Sequence, residues 1–118
     1  MARDSVKKIA FTDFEMTGLS PVKHEIIEIG LIVADADSLE EISRLDIKVK
    51  PEHIEMADPY ALKLNGYNEK DWEGAYTLKE ALIKYSMEVE DAIFAAWNTP
   101  YDWGFLIEAF EKTGIKNP

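Results

Sequence analysis

The chain has 118 residues, 47% of them apolar, and 13 basic against 23 acidic side chains give a formal net charge of −10. This length and apolar content suit one domain with a core of its own, and the lack of cysteine excludes a disulfide framework, a thiolate nucleophile and a sulfur-ligated zinc site. The acidic balance argues against binding nucleic acid through a broad basic patch; no apolar run reaches membrane-spanning length and the first residues do not read as a signal peptide, so the expected location is cytoplasmic, with no membrane contact.

Lys7 to Glu15 alternates, with Ile9, Phe11, Asp13 and Glu15 on one parity and Ala10, Thr12 and Phe14 on the other, which is the period of a strand. Thr17 to Pro21 breaks that pattern as a turn or loop. Glu25 to Ala34 is rich in Ile and Val and reads as a buried central strand. Asp35 to Leu39 has hairpin-turn composition. Leu45, Ile47 and Val49 alternate with charged residues, as in a half-exposed strand ending at Pro51. The first half thus reads as three sequential antiparallel strands.

The period then changes. Asp58-Pro59 forms an N-cap followed by proline at the first helical position, with Gly66 as the stop, so a short helix is expected over Tyr60 to Asn65. Asn68 to Tyr76 reads as a polar and aromatic excursion. Thr77 and Glu80 have capping-box spacing, and Leu78, Ala81, Leu82, Tyr85 and Val89 follow as one helical stripe. Ala92 to Trp97 reads as a buried strand. Thr99-Pro100 opens a last helix with Phe105, Leu106, Ala109 and Phe110 on its apolar side and Gly114 after its end. The order β-β-β-α-α-β-α allows a helical crossover to a fourth, parallel strand, and hence a mixed α/β sheet flanked by helices.

Two residues apart on a strand, Asp13 and Glu15 project from one face. Paired anions there repel and lose hydration, and a divalent cation relieves both; oxygen-only ligands suit Mg²⁺ or Mn²⁺. An isolated Asp-x-Glu pair is also compatible with a solvated strand end. Here it closes a strand before a glycine-containing loop, where α/β sheets place ligands. Asp102 lies in the first turn of the last helix, where an acid can also serve the macrodipole. Asn98, just after a strand, can be a turn residue.

Asp13-Phe-Glu-Met-Thr-Gly-Leu19 resembles the first motif of the DEDD family of 3′–5′ exonucleases. Ile26-Ile-Glu-Ile-Gly30 resembles the strand that follows it, Asp58 to Gly66 resembles the short helix between the motifs, and Asn98-Thr-Pro-Tyr-Asp102 with Phe105-Leu106 resembles the second motif. The resemblance implies a ribonuclease H-like fold and hydrolysis of phosphodiesters from a 3′ end by a two-metal mechanism. By it, Asp13, Glu15 and Asp102 are catalytic residues and ligands of two Mg²⁺ or Mn²⁺ ions. Met16, Thr17, Gly18, Leu19 and Asn98 would bind substrate, with the 3′-hydroxyl received by Glu15 and the backbone of Met16 to Gly18, and the terminal base against Leu19, for which core packing is the alternative. The implied partners are a single-stranded DNA or RNA 3′ end or its nucleotide product, and a polymerase or another replication or repair protein.

The family also uses a fourth carboxylate, with His or Tyr a few residues before it, on a later helix. No residue here fills those places, and both histidines, His24 and His53, precede the second motif and read as surface residues. The expectation is therefore an exonuclease domain incomplete at its C-terminus, with its last strand and helix missing, inactive or weakly active, and exposing apolar surface suited to self-association. Two other readings compete: a non-catalytic exonuclease-like module, and a haloacid-dehalogenase-type phosphatase, whose Asp-x-Asp-x-Thr motif Asp13 to Thr17 imitates except at Glu15.

Overall fold

A computed structural model describes residues 7–97 and 99–115. Strand β1 runs Lys8–Met16, β2 Ile26–Asp35 and β3 Glu41–Lys48. Helix α1 spans Pro59–Leu64, α2 Leu78–Val89 and α3 Thr99–Thr113, with strand β4, Ala92–Ala95, between the last two. The sheet order is β3-β2-β1-β4; β1, β2 and β3 pair antiparallel and β4 pairs parallel to β1. This is the mixed sheet expected from the order β-β-β-α-α-β-α with a helical crossover before the fourth strand.

Local signals set the helix starts. The Asp58 carboxylate accepts the Tyr60 N–H at 3.0 Å, and Pro59 follows it at the first helical position. At α2 the capping box closes in both directions, Thr77 Oγ1 accepting from the Glu80 N–H and the Glu80 carboxylate from the Thr77 N–H. Gly66 and Gly114 follow α1 and α3 with φ of +68° and +73°, the left-handed region that glycine enters without strain.

Ala10 and Phe14 of β1, with Ile29, Leu31 and Val33 of β2, pack against Ala81, Leu82 and Tyr85 of α2 and Phe105, Leu106, Ala109 and Phe110 of α3. The other parity of β1, including Phe11, Asp13 and Glu15, therefore lies on the opposite face. Phe11, Ile32 and Ile93 are exposed.

One expectation is corrected. The run from Ala92 is not a buried strand: β4 is at the sheet edge, so Ile93 is exposed and Trp97 fully so. The excursion over Asn68 to Tyr76 is anchored, since Trp72 is buried and donates from Nε1 to the Ile27 carbonyl at 2.9 Å. Tyr76 also makes a parallel bridge to Val49. Among the described residues no helix is long and apolar enough to cross a membrane.

Candidate active site

Alternation in β1 places Asp13 and Glu15 on the open sheet face, and the register sets Asp13 beside Gly30 and Glu15 beside Glu28. Gly30 in turn neighbours Asp46, and Glu28 neighbours Lys48. Asp13, Glu15, Glu28 and Asp46, with Arg44 at the margin, line a shallow depression of about 320 Å³. Glu28 and Asp46 belong to this acidic face although neither stood out in the sequence. They could have been found only by aligning the strands in register, because they come from different segments.

The charges interact. Burial pushes the Glu15 carboxyl up, and Asp13, Glu28 and Asp102 add to the shift. Burial also raises Glu28; Lys48 opposes this, whereas Asp46, by charge and hydrogen bond, and Asp13 reinforce it. Asp102, in the first turn of α3, is buried. It is close enough to Tyr85 and Tyr101 to raise both hydroxyls after burial has done so, Tyr85 to about 12. Asp13, Glu15 and Asp102, which the sequence singles out, thus form one electrostatic neighbourhood contributed by β1 and α3.

The donor set suits a hard divalent cation: carboxylate oxygens, crowded so that the ionised form of Glu15 is disfavoured without a counter-charge. Among the described residues, however, no three carboxylates or histidines converge into a ready-made cation cage. The residues suit a cation through the chemistry of their donors.

Beside these carboxylates lies a second cleft, of about 240 Å³, lined by Glu15, Met16, Gly18 and Leu19 on one side and Tyr60, Ala61 and Leu64 of α1 on the other. Leu19, Tyr60 and Leu64 are 76%, 71% and 72% exposed, so core packing does not account for Leu19. Three large apolar side chains around one cleft form a surface for a flat, apolar ligand face. Tyr60 and Leu64 escape the sequence reading because α1 meets the β1–β2 loop only in the folded chain.

The loop between β1 and β2 is tied on several sides. Asn65 Nδ2 donates to the Met16 carbonyl at 2.9 Å, the Asp58 N–H to the Thr17 carbonyl at 2.7 Å, and the Tyr101 hydroxyl to the Gly18 carbonyl at 3.2 Å. Thr17 is fixed within this loop. Its side chain is buried and accepts the Glu25 N–H at 2.9 Å, and its own N–H donates to the Glu25 carbonyl at 2.8 Å. It holds the loop and presents no side chain to the cleft. Asn98 lies outside the described residues. His53 is exposed, as expected, but His24 is half-buried against Gly18.

A family model described as an exonuclease, RNase T, matches residues 10–118. The chain is 34% identical over 104 residues to the PolC-type DNA polymerase III of Mycoplasmopsis pulmonis, covering 88% of this chain and 7% of that protein. It is 28% identical over 116 residues to the PolC-type enzyme of Halalkalibacterium halodurans, covering 90% of this chain and 7% of that protein. Among solved structures, E. coli exonuclease I in complex with a dA13 oligonucleotide superposes with a TM-score of 0.80 at 15% identity, over 91% of this chain and 24% of that one. Exonuclease I of Methylocaldum szegediense gives 0.81 at 15% identity, over 90% and 24%. The chain therefore spans about 7% of the length of these polymerases and about a quarter of the exonuclease I chains.

Proposed function

The chain belongs to the RNase T exonuclease family, and from that premise we propose that it takes the 3′ end of a single-stranded nucleic acid for 3′–5′ phosphodiester hydrolysis by a two-metal mechanism. The observation that carries this reading is the contact between the two clefts: Glu15 lines both the acidic depression and the apolar cleft of Leu19, Tyr60 and Leu64. A terminal nucleotide has the matching halves, an apolar base and an anionic phosphate. The base would lie against Leu19 and Tyr60, since stacking on aromatic and apolar surface tolerates any sequence. The phosphate would lie toward Asp13, Glu15 and Asp102.

Those three carboxylates would hold Mg²⁺ or Mn²⁺, which when bound supply charge neutralisation, a more acidic water and stabilisation of the leaving oxygen. The chain's own contribution is orientation. Asp13 and Glu15 are fixed on one face by the pleat of β1, and Asp102 by burial at the start of α3. Tyr101 and Asn65 hold the Gly18 and Met16 carbonyls, so the loop beside the terminal sugar is set before substrate arrives.

The solved exonuclease I structures include complexes with oligonucleotides and with SSB-Ct, and the sequence relatives are PolC-type polymerases. On that basis we propose a single-stranded DNA end and a polymerase setting for this chain. Family membership leaves no support for a phosphatase. A binding module without hydrolysis is the second reading, favoured by the lack of a preformed cation cage among the described residues.

The test is fluorescence anisotropy with 5′-labelled single strands ending in 3′-hydroxyl or 3′-phosphate, with Mn²⁺ or with chelator. Preference for the hydroxyl end that requires Mn²⁺ and is lost in Asp13→Ala is expected. Equal binding of both ends, independent of the metal, overturns the reading. Following the same strands on a gel separates hydrolysis from binding alone.

A further inference from the structure

His24 is absent from both clefts, yet its ring lies directly under the loop that lines one of them. The β1–β2 turn folds back so that the His24 N–H donates to the Ser20 carbonyl at 2.7 Å and the Ser20 N–H donates to His24 Nδ1 at 3.0 Å. With Nδ1 accepting, the neutral ring carries its proton on Nε2. The imidazole is pressed against Gly18 so closely that a Cβ on Gly18 would collide with Cγ, Nδ1 and Cε1. Gly18 is also held through its carbonyl by Tyr101. Gly18 is thus held both by a helix residue and by a ring, and Leu19, the exposed apolar side chain of the cleft, follows it immediately.

From this we infer that His24 is a positioning residue for the 3′ end: its ring is the floor that sets the Gly18 backbone, and its Nδ1 sets Ser20, so that Gly18 and Leu19 keep one conformation between Glu15 and the terminal base. The role rests on the proposed function for its ligand, but the ordering of the loop can be measured in the free chain. His24 acts through Gly18 and Ser20 and touches no reacting atom. The residue type is accounted for by shape and acceptor together: a flat ring fits against a glycine, and a δ-position acceptor is needed for Ser20. Asn places an oxygen at that position, whereas Gln moves its polar atoms one bond further out.

Two measurements test this in the 118-residue chain. The first is backbone ¹⁵N relaxation without ligand. Order at Ser20 should fall in His24→Ala and His24→Gln and be largely kept in His24→Asn, which retains the acceptor, whereas order at Gly18 and Leu19 should fall in all three, which lack the ring. The second is the affinity for the 3′-hydroxyl strand in Mn²⁺, which should fall about tenfold in His24→Ala and be only partly restored in His24→Asn, which keeps the acceptor but not the ring, with Mn²⁺ affinity unchanged. A double-mutant cycle adds a readout specific to the contact. Gly18→Ala should be costly with the ring present and nearly free in the His24→Ala background. Unchanged loop order in His24→Gln overturns the inference, and so does additivity in the cycle. A disordered loop with undiminished affinity for the 3′-hydroxyl end also overturns it. If the unmodified chain shows no preference for a 3′-hydroxyl end, the proposed function fails, and with it the ligand part of this role. The relaxation data still decide whether His24 orders the loop. Should His24→Ala not fold, the Asn and Gln variants carry both measurements.

Discussion

Glu15 stands directly opposite Glu28 in the antiparallel β1–β2 pair, and Asp13, two residues earlier, stands opposite Gly30. Two carboxylates are thereby brought together across the strands on a face that already carries a third. Burial and like charge raise both glutamates. Such a pair costs stability when both are ionised, and that cost favours a bound cation.

A divalent cation should therefore stabilise the fold. A ligand that binds only the native state at about ten times its Kd contributes about 1.4 kcal/mol. A thermal melt in Mn²⁺ against chelator should show the rise in Tm, and Asp13→Asn should abolish it. An equal rise in that variant would place the cation elsewhere.

The pH dependence of Glu15 has a definite sign. A carboxyl raised in the folded state adds stability below its unfolded value, near 4.5, and loses it as pH rises through the folded value. At neutral pH without metal, ionised Glu15 opposes folding, so Glu15→Gln should raise Tm by on the order of 2 °C. The difference should close as the pH is lowered toward 4.5 and reverse in Mn²⁺, where the variant lacks a ligand.

Tyr85 links the helical layer to β1. Its hydroxyl lies 2.8 Å from Thr12 Oγ1, both buried, and burial pushes it to about 12. Tyr85→Phe should cost about 1 kcal/mol, the net value of a buried hydrogen bond, in urea denaturation near neutral pH. The unmodified chain should lose stability as pH rises from about 10 toward 12, and the variant should lack that part of the loss.

Tyr60→Ala should weaken binding of the 3′-hydroxyl strand by about tenfold in Mn²⁺, within the range for one lost base–aromatic contact, while leaving Tm nearly unchanged because the side chain is 71% exposed. An unaltered anisotropy titration would remove α1 from the proposed site.

The sequence alone determined those features that depend on neighbours along the chain. Alternation in Lys7 to Glu15 put Asp13 and Glu15 on one face, because side chains of a strand point to opposite sides in turn. Thr77 with Glu80, and Asp58 with Pro59, marked two helix starts because a cap satisfies N–H groups within its own first turn. Asp102 was legible as part of the second motif.

What only the tertiary structure decided came from register and from the docking of distant segments. Strand register brought Glu28 to Glu15 and Asp46 to Gly30. Docking of α1 brought Tyr60 and Leu64 to Leu19. Trp72 anchors a stretch that looked like a polar excursion, through one bond to a carbonyl in β2. His24 reads as a surface residue. The fold pressed it under Gly18, because its surroundings are set by where the returning chain lies. Periodicity and capping are local and can be read along the chain, whereas a site assembled from β1, α1 and α3 exists only once the core has fixed their separations.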